Sequence, residues 1–178
     1  MPATHIALLR GINVGKAKRI SMADLRKLFE SLGHSDVRTL LNSGNVVFTA
    51  KESTKDLGAQ VEAALIKKIG VSARVTILTA KELADIIKAN PLLDVADEHS
   101  RLLVAVFNSL ADRKRVDAIG KQKWAPEAFG LGKRAAYLWC VPGILDSKLA
   151  TAFGKAVKDA ATSRNWATIT KLKALVEA

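Results

Sequence analysis

The chain has 178 residues, 49% hydrophobic and 25% charged, which is enough apolar material for one domain or two small packed halves and too much for intrinsic disorder. Its 28 lysines and arginines against 17 acidic residues give a net charge of +11; this suits phosphates, nucleic acid or an anionic surface, and equally a solvated, lysine-rich exterior. One cysteine excludes an intrachain disulfide, and with no secretory leader and no apolar run near the ~20 residues of a membrane span, a cytoplasmic protein without membrane contact is expected.

HIALLR (5–10) is an unbroken apolar run ending in a charge, the pattern of a central strand buried on both faces. A glycine- and lysine-rich loop follows. Ser21 and Asp24 then make a capping box for a helix whose Met22, Leu25, Leu28, Phe29 and Leu32 recur at helical spacing until Gly33. VRTLL (37–41) and NVVFT (45–49) are β-rich runs separated by Asn42, Ser43 and Gly44, which predicts a hairpin. Ser53 and Asp56 open a second helix with Leu57, Val61, Leu65 and Ile69 on one face, closed by Gly70. ARVTIL (73–78) is the next strand, and the order βαββαβ is the split βαβ of a ferredoxin-like fold.

The second half predicts a related course. Thr79 and Glu82 cap a linking helix carrying Leu83, Ile86 and Ile87, ended by Asn90-Pro91. LLVAVF (102–107) is a buried strand, and a helix is expected from Asp112. EAFGL and AAYLWCV flank the turn at Gly132-Lys133, with Cys140 inside the second strand, and a helix is expected from about Asp146 to Ala161. SRNWA then leads to a last helix with Ile169, Leu172, Leu175 and Val176 inward and Thr168 as its N-cap. The fold expected is therefore α+β, two packed ferredoxin-like halves with mainly antiparallel sheets, residues 1–78 and 79–178.

The loop LLRGINVGKAKRI (8–20) invites comparison with a phosphate-binding loop, and its spacing rejects it. A P-loop needs four residues between its glycines and then Lys-Ser/Thr, whereas Ile12, Asn13 and Val14 alone separate Gly11 from Gly15, and Ala17 follows Lys16. Topology offers a better reading. In a split βαβ the third strand lies antiparallel beside the first, so Arg10, Asn13, Ser43 and Asn45 should converge at one sheet edge with Lys16 beside them. Such a cluster suits a phosphate or carboxylate; the plainer alternative is that Asn13, Ser43 and Asn45 only satisfy turn backbone. At the other end Arg164 and Asn165 precede a helix start and suit an anion too, the alternative being that Trp166 anchors that helix while Arg164 meets a carboxylate.

LLRGINVG, LNSGNVVF and TSRNWATITKL, in that order along the chain, resemble the bacterial family known as domain of unknown function 1697. The resemblance implies a two-part α+β fold of cytoplasmic proteins with no established activity. Lys16 stands where that family usually has a second glycine after GINVG.

Other chemistry finds little support. His5, His34 and His99 are too far apart for a local metal motif, DVADEH (94–99) lacks the spacing of a calcium loop, and no GxSxG elbow is present. No metal and no cofactor is expected. An RNA recognition motif shares the βαββαβ order, but its stacking aromatics are absent: only Phe48 lies on the third strand and none on the first. Basic clusters remain at Lys16/Lys18/Arg19, Arg113/Lys114/Arg115, Lys121/Lys123 beside Trp124, and Lys133/Arg134. The partner expected is thus a small anionic ligand such as a nucleotide or phosphate ester, with non-specific nucleic-acid binding and a structural or partner-binding role as alternatives.

Overall fold

A computed structural model describes residues 1–51 and 55–178. They divide into two compact units: Met1–Leu83 together with Ala174–Ala178, and Ala84–Lys173. The first unit contains β1 (Ala3–Leu9), α1 (Met22–Ser31), β2 (Ser35–Leu40), β3 (Asn45–Ala50), α2 (Leu57–Ile69) and β4 (Val75–Thr79). Its sheet has the order β2-β3-β1-β4, with every neighbouring pair antiparallel.

The linking helix α3 (Ala80–Lys88) leads to the second unit, with β5 (Leu102–Phe107), a 3-10 segment (Leu110–Val116), α4 (Asp117–Gly120), β6 (Ala128–Leu131), β7 (Ala135–Trp139), α5 (Lys148–Val157) and β8 (Ala161–Asn165). The last helix is α6 (Trp166–Glu177). The second sheet runs β6-β7-β5-β8, again antiparallel throughout, so both units are ferredoxin-like with the same strand order. Among the described residues no helix is long and apolar enough to cross a membrane.

Period-two burial builds the core. Ala7 and Leu9 of β1 join Val46, Phe48 and Ala50 of β3 against Leu25, Leu28 and Phe29 of α1 and Leu57, Val61 and Leu65 of α2. The alternate residues Ile6 and Leu8 are fully buried as well, so β1 is covered on both faces. In the second unit Ala105, Phe107, Ala136 and Leu138 pack with Val116, Ile119, Leu149 and Phe153.

Local sequence signals set many of the boundaries. Ser21 accepts a hydrogen bond from the Asp24 N–H at 3.0 Å and starts α1. Thr79 and Glu82 exchange bonds reciprocally, Glu82 N to Thr79 Oγ1 at 3.0 Å and Thr79 N to Glu82 Oε2 at 2.8 Å, which opens α3. Gly70 closes α2 in the left-handed conformation. The expected Ser53–Asp56 box falls partly on Ser53, outside the described residues; Asp56 itself caps α2 without a side-chain bond.

Several expectations need correction. The helix expected from Asp112 is a 3-10 segment opened by a Ser109–Asp112 capping box and followed by the single turn α4; of its residues only Val116 is buried, too few inward positions to sustain an amphipathic helix. The helix expected to reach Ala161 stops at Val157, because Lys158 turns left-handed and Ala161–Asn165 joins the sheet as β8. The N-cap of α6 is Asn165, whose Oδ1 accepts from the Thr168 N–H at 2.9 Å, and Thr168 lies inside the helix.

Candidate functional site

Both sheets make the same junction where their first strand ends. In the first unit Leu9 N donates to Gly44 O and Arg10 N to Arg74 O, each at 2.9 Å. In the second, Phe107 N donates to Arg134 O and Asn108 N to Ala160 O, again at 2.9 Å. The end of the first strand is thereby fastened to the starts of the third and fourth. Gly44 has φ +89°, and a Cβ there would lie 2.7 Å from Ile12 Cδ1, so no other residue fits beneath the loop.

The loop above that junction has a buried neck and an exposed tip. Ile12 and Ile20 are 2% and 5% exposed and pack in the core, whereas residues 14–19 are exposed. Asn13 bridges the neck: its Nδ2 donates to Ile20 O at 2.9 Å, and its Oδ1 accepts from Ile20 N at 2.8 Å. A second Nδ2 bond, to Asn42 O at 2.8 Å, ties the loop to the β2–β3 turn. Asn13 adopts φ 54°, a conformation asparagine tolerates better than most residues. Lys16, Lys18 and Arg19 occupy the tip, their exposed side chains without a hydrogen-bond or ion-pair partner among the described residues, while Lys18 O accepts from Asn13 N at 3.0 Å.

Asn45 lies opposite Leu8, fully buried, and its Nδ2 donates to Leu40 O at 2.7 Å and to Ser43 Oγ at 2.9 Å. Asn13 therefore spends its amide on backbone and Asn45 on Leu40 O and the Ser43 hydroxyl, while Arg10 and Ser43 are exposed on the same edge. Arg74, beside Arg10, faces Glu62 at 3.8 Å, so this edge also holds one carboxylate.

Arg164 and Asn165 belong to the second unit. Arg164 Nη1 donates to Ser163 O at 2.9 Å, and burial pushes its guanidinium down to about 10, which leaves it charged at neutral pH. Asn165 caps α6. Lys18 and Arg19, which the sequence marks only as part of a basic cluster, join Lys16 at this tip, and Ile12 and Ile20 are the apolar neck residues around it.

Packing withholds Cys140 from nucleophile chemistry. Cys140 is buried, and burial raises its thiol above the ordinary range, a hydrogen bond with Ser147 opposing the shift. Ser147 is 1% exposed, donates to Glu127 Oε2 at 2.5 Å and accepts from Ala150 N at 2.9 Å, so the pair caps α5. Among the described residues no three His, Cys, Asp or Glu side chains gather closely enough to hold a metal ion.

Two βαββαβ units with equal strand order and a stapled, cationic crossover loop define the protein as a two-unit ferredoxin-like α+β chain. It belongs to the family described as protein of unknown function (DUF1697), whose model matches residues 3–137. The third motif, TSRNWATITKL, lies beyond that match. Among solved structures the chain is similar to the conserved bacterial protein SP0830 from Streptococcus pneumoniae, with a TM-score of 0.83, 20% identity and 99% of each chain covered. At that identity the likeness is one of fold. No curated protein matches the chain.

Proposed function

We propose that the protein binds a small anionic ligand, a nucleotide or phosphate ester, at the edge of the first unit's sheet. One observation carries this reading: among the described residues the side chains of Lys16, Lys18 and Arg19 have no partner, on a tip whose neck Asn13 holds by three side-chain hydrogen bonds. Cations on a preordered loop bind an anion with less loss of freedom than cations on a mobile one. Arg10, Lys16 and the Ser43 hydroxyl are the proposed contacts, with Asn13 and Asn45 as positioning residues. Arg164 and Asn165 take structural parts in this proposal, the first as a half-buried charge in β8 and the second as a cap. The proposal has the protein act in the cytoplasm, where a free thiol such as Cys140 persists.

A thermal-shift screen with nucleotides and sugar phosphates tests it, since a ligand that prefers the native state raises the melting temperature. The expected result is a shift with one phosphate-bearing compound that survives moderate salt and disappears in Lys16→Ala, a substitution at an exposed, unpartnered side chain. An undiminished shift in Lys16→Ala and Arg10→Ala, or no shift with any compound, would leave these motifs as packing devices.

A further inference from the structure

We propose that the corresponding edge of the second unit, where β5 ends and β7 and β8 begin, binds the sugar–phosphate backbone of nucleic acid. This does not rest on the small-ligand reading of the first unit. Hydrogen bonds gather separate segments at this edge. Arg113 Nε, on the 3-10 segment, donates to Gly132 O at 2.9 Å. Arg134 Nε donates to Phe107 O at 2.9 Å, and Asn108 Nδ2 to Asp159 O at 2.8 Å. The segments carrying Arg113–Arg115, Lys133–Arg134 and Lys158 are thereby brought to one edge, together with Asp112 and Asp159.

Asp112 is already engaged, accepting from Ser109 N at 3.1 Å and meeting Arg115 at 3.4 Å. The Lys114 and Lys133 side chains are exposed and have no hydrogen-bond or ion-pair partner among the described residues. Arg113 uses only its Nε there, which leaves both Nη groups of an exposed, anchored guanidinium for an incoming oxygen. A guanidinium held through Nε is an effective phosphate ligand, because its planar fork is oriented before the anion arrives.

The chemical class follows from this distribution. A single phosphate contacts two or three cations, whereas cations spread over several turns are engaged together by a chain of phosphates that releases its counterions. The sheet offers no base-stacking platform, since Val104, Ala105, Ala136 and Tyr137 are at most 1% exposed. Recognition is therefore directed at the backbone and has little sequence preference.

The experiment is fluorescence anisotropy of a labelled single-stranded oligouridine, whose weakly stacking bases report backbone contact, titrated with the full chain over a salt series. The Lys114→Glu/Lys133→Glu double variant should keep the wild-type melting temperature and weaken binding about tenfold or more at low salt. It should also make the log–log salt slope shallower by about 1.4, roughly 0.7 for each lost phosphate contact. The matching Lys16→Glu/Lys18→Glu variant in the first unit should retain most of the affinity. Absence of binding at low salt, an unaffected Lys114→Glu/Lys133→Glu variant, or a loss confined to the first-unit variant would overturn the proposal. So would equal affinity for phosphatidylserine vesicles or polyglutamate at the same salt.

Discussion

Asn13 shows how one side chain decides whether a lysine-rich loop has a shape. Its amide replaces the strand partner that Ile20 lacks and reaches across to Asn42 O, so truncation removes three hydrogen bonds and exposes the neck formed by Ile12 and Ile20. Asn13→Ala should cost about 2–3 kcal/mol, read from the urea midpoint, through unsatisfied backbone groups and a left-handed conformation that alanine resists. Asn13→Gly relieves the second penalty and so isolates the first. A loss under about 0.5 kcal/mol in both would show that the bridge is not structural.

Tyr137 is a buried phenol whose ionisation opposes folding. Its hydroxyl donates to Ile86 O at 2.5 Å, and burial pushes the phenol up to about 12 from its ordinary value of 10.0. Since the fold favours the neutral phenol, the stability this group contributes is complete below about pH 10 and is lost as pH rises through about 12. Wild type should lose about 2–3 kcal/mol more than Tyr137→Phe across that window, and identical alkaline limbs would contradict the assignment.

At the scale of elements, capping chemistry explains most boundaries and its competition explains the errors. Ser21 and the Thr79–Glu82 pair act where the sequence pattern puts them. Around the last helix two polar residues compete for the cap, and Asn165 prevails because the sheet register places it at the end of β8, opposite Leu103. Asn165→Ala should cost about 1 kcal/mol in denaturant unfolding while Asn165→Asp stays close to wild type. An equal loss in both would mean that the amide nitrogen matters more than the cap. The strand β8 escapes pattern recognition because ATSRN has neither alternation nor an apolar run; it pairs with β5 because the hydrogen-bonding groups of that buried strand need a neighbour.

At the scale of the molecule, the chain's final residues belong with the first unit, and Arg38 Nη1 donates to Leu175 O at 2.7 Å. Deleting Ala174–Ala178 should lower first-unit stability by about 1–2 kcal/mol and reduce hydrogen-exchange protection in β2, whose Arg38 then lacks that acceptor. Unchanged protection in β2 would contradict this. The repeated junction is also a property of this scale. Leu9 and Phe107 make equivalent bonds although Gly44 and Arg134, their acceptors, share no chemistry, because the acceptor in each is a backbone carbonyl.

Local physics is written in the chain itself: the apolar runs of β1 and β5, the helical stripes of α1 and α2, the caps at Ser21 and Thr79, and the turn chemistry around Gly44. Those signals sufficed for the order βαββαβ and hence for an edge shared by Arg10 and Asn45. How the side chains on that edge are used depends on contacts made after the chain has folded. Asn13 and Asn45 turn inward, Asn45 to Leu40 O nearby and Asn13 to both Ile20 O and the distant Asn42 O, leaving Lys16, Lys18 and Arg19 as the cations at the tip. Only the tertiary fold likewise brought Arg113 to Gly132, nineteen residues away, since a hydrogen bond to a backbone carbonyl leaves no trace in the identity of the accepting residue.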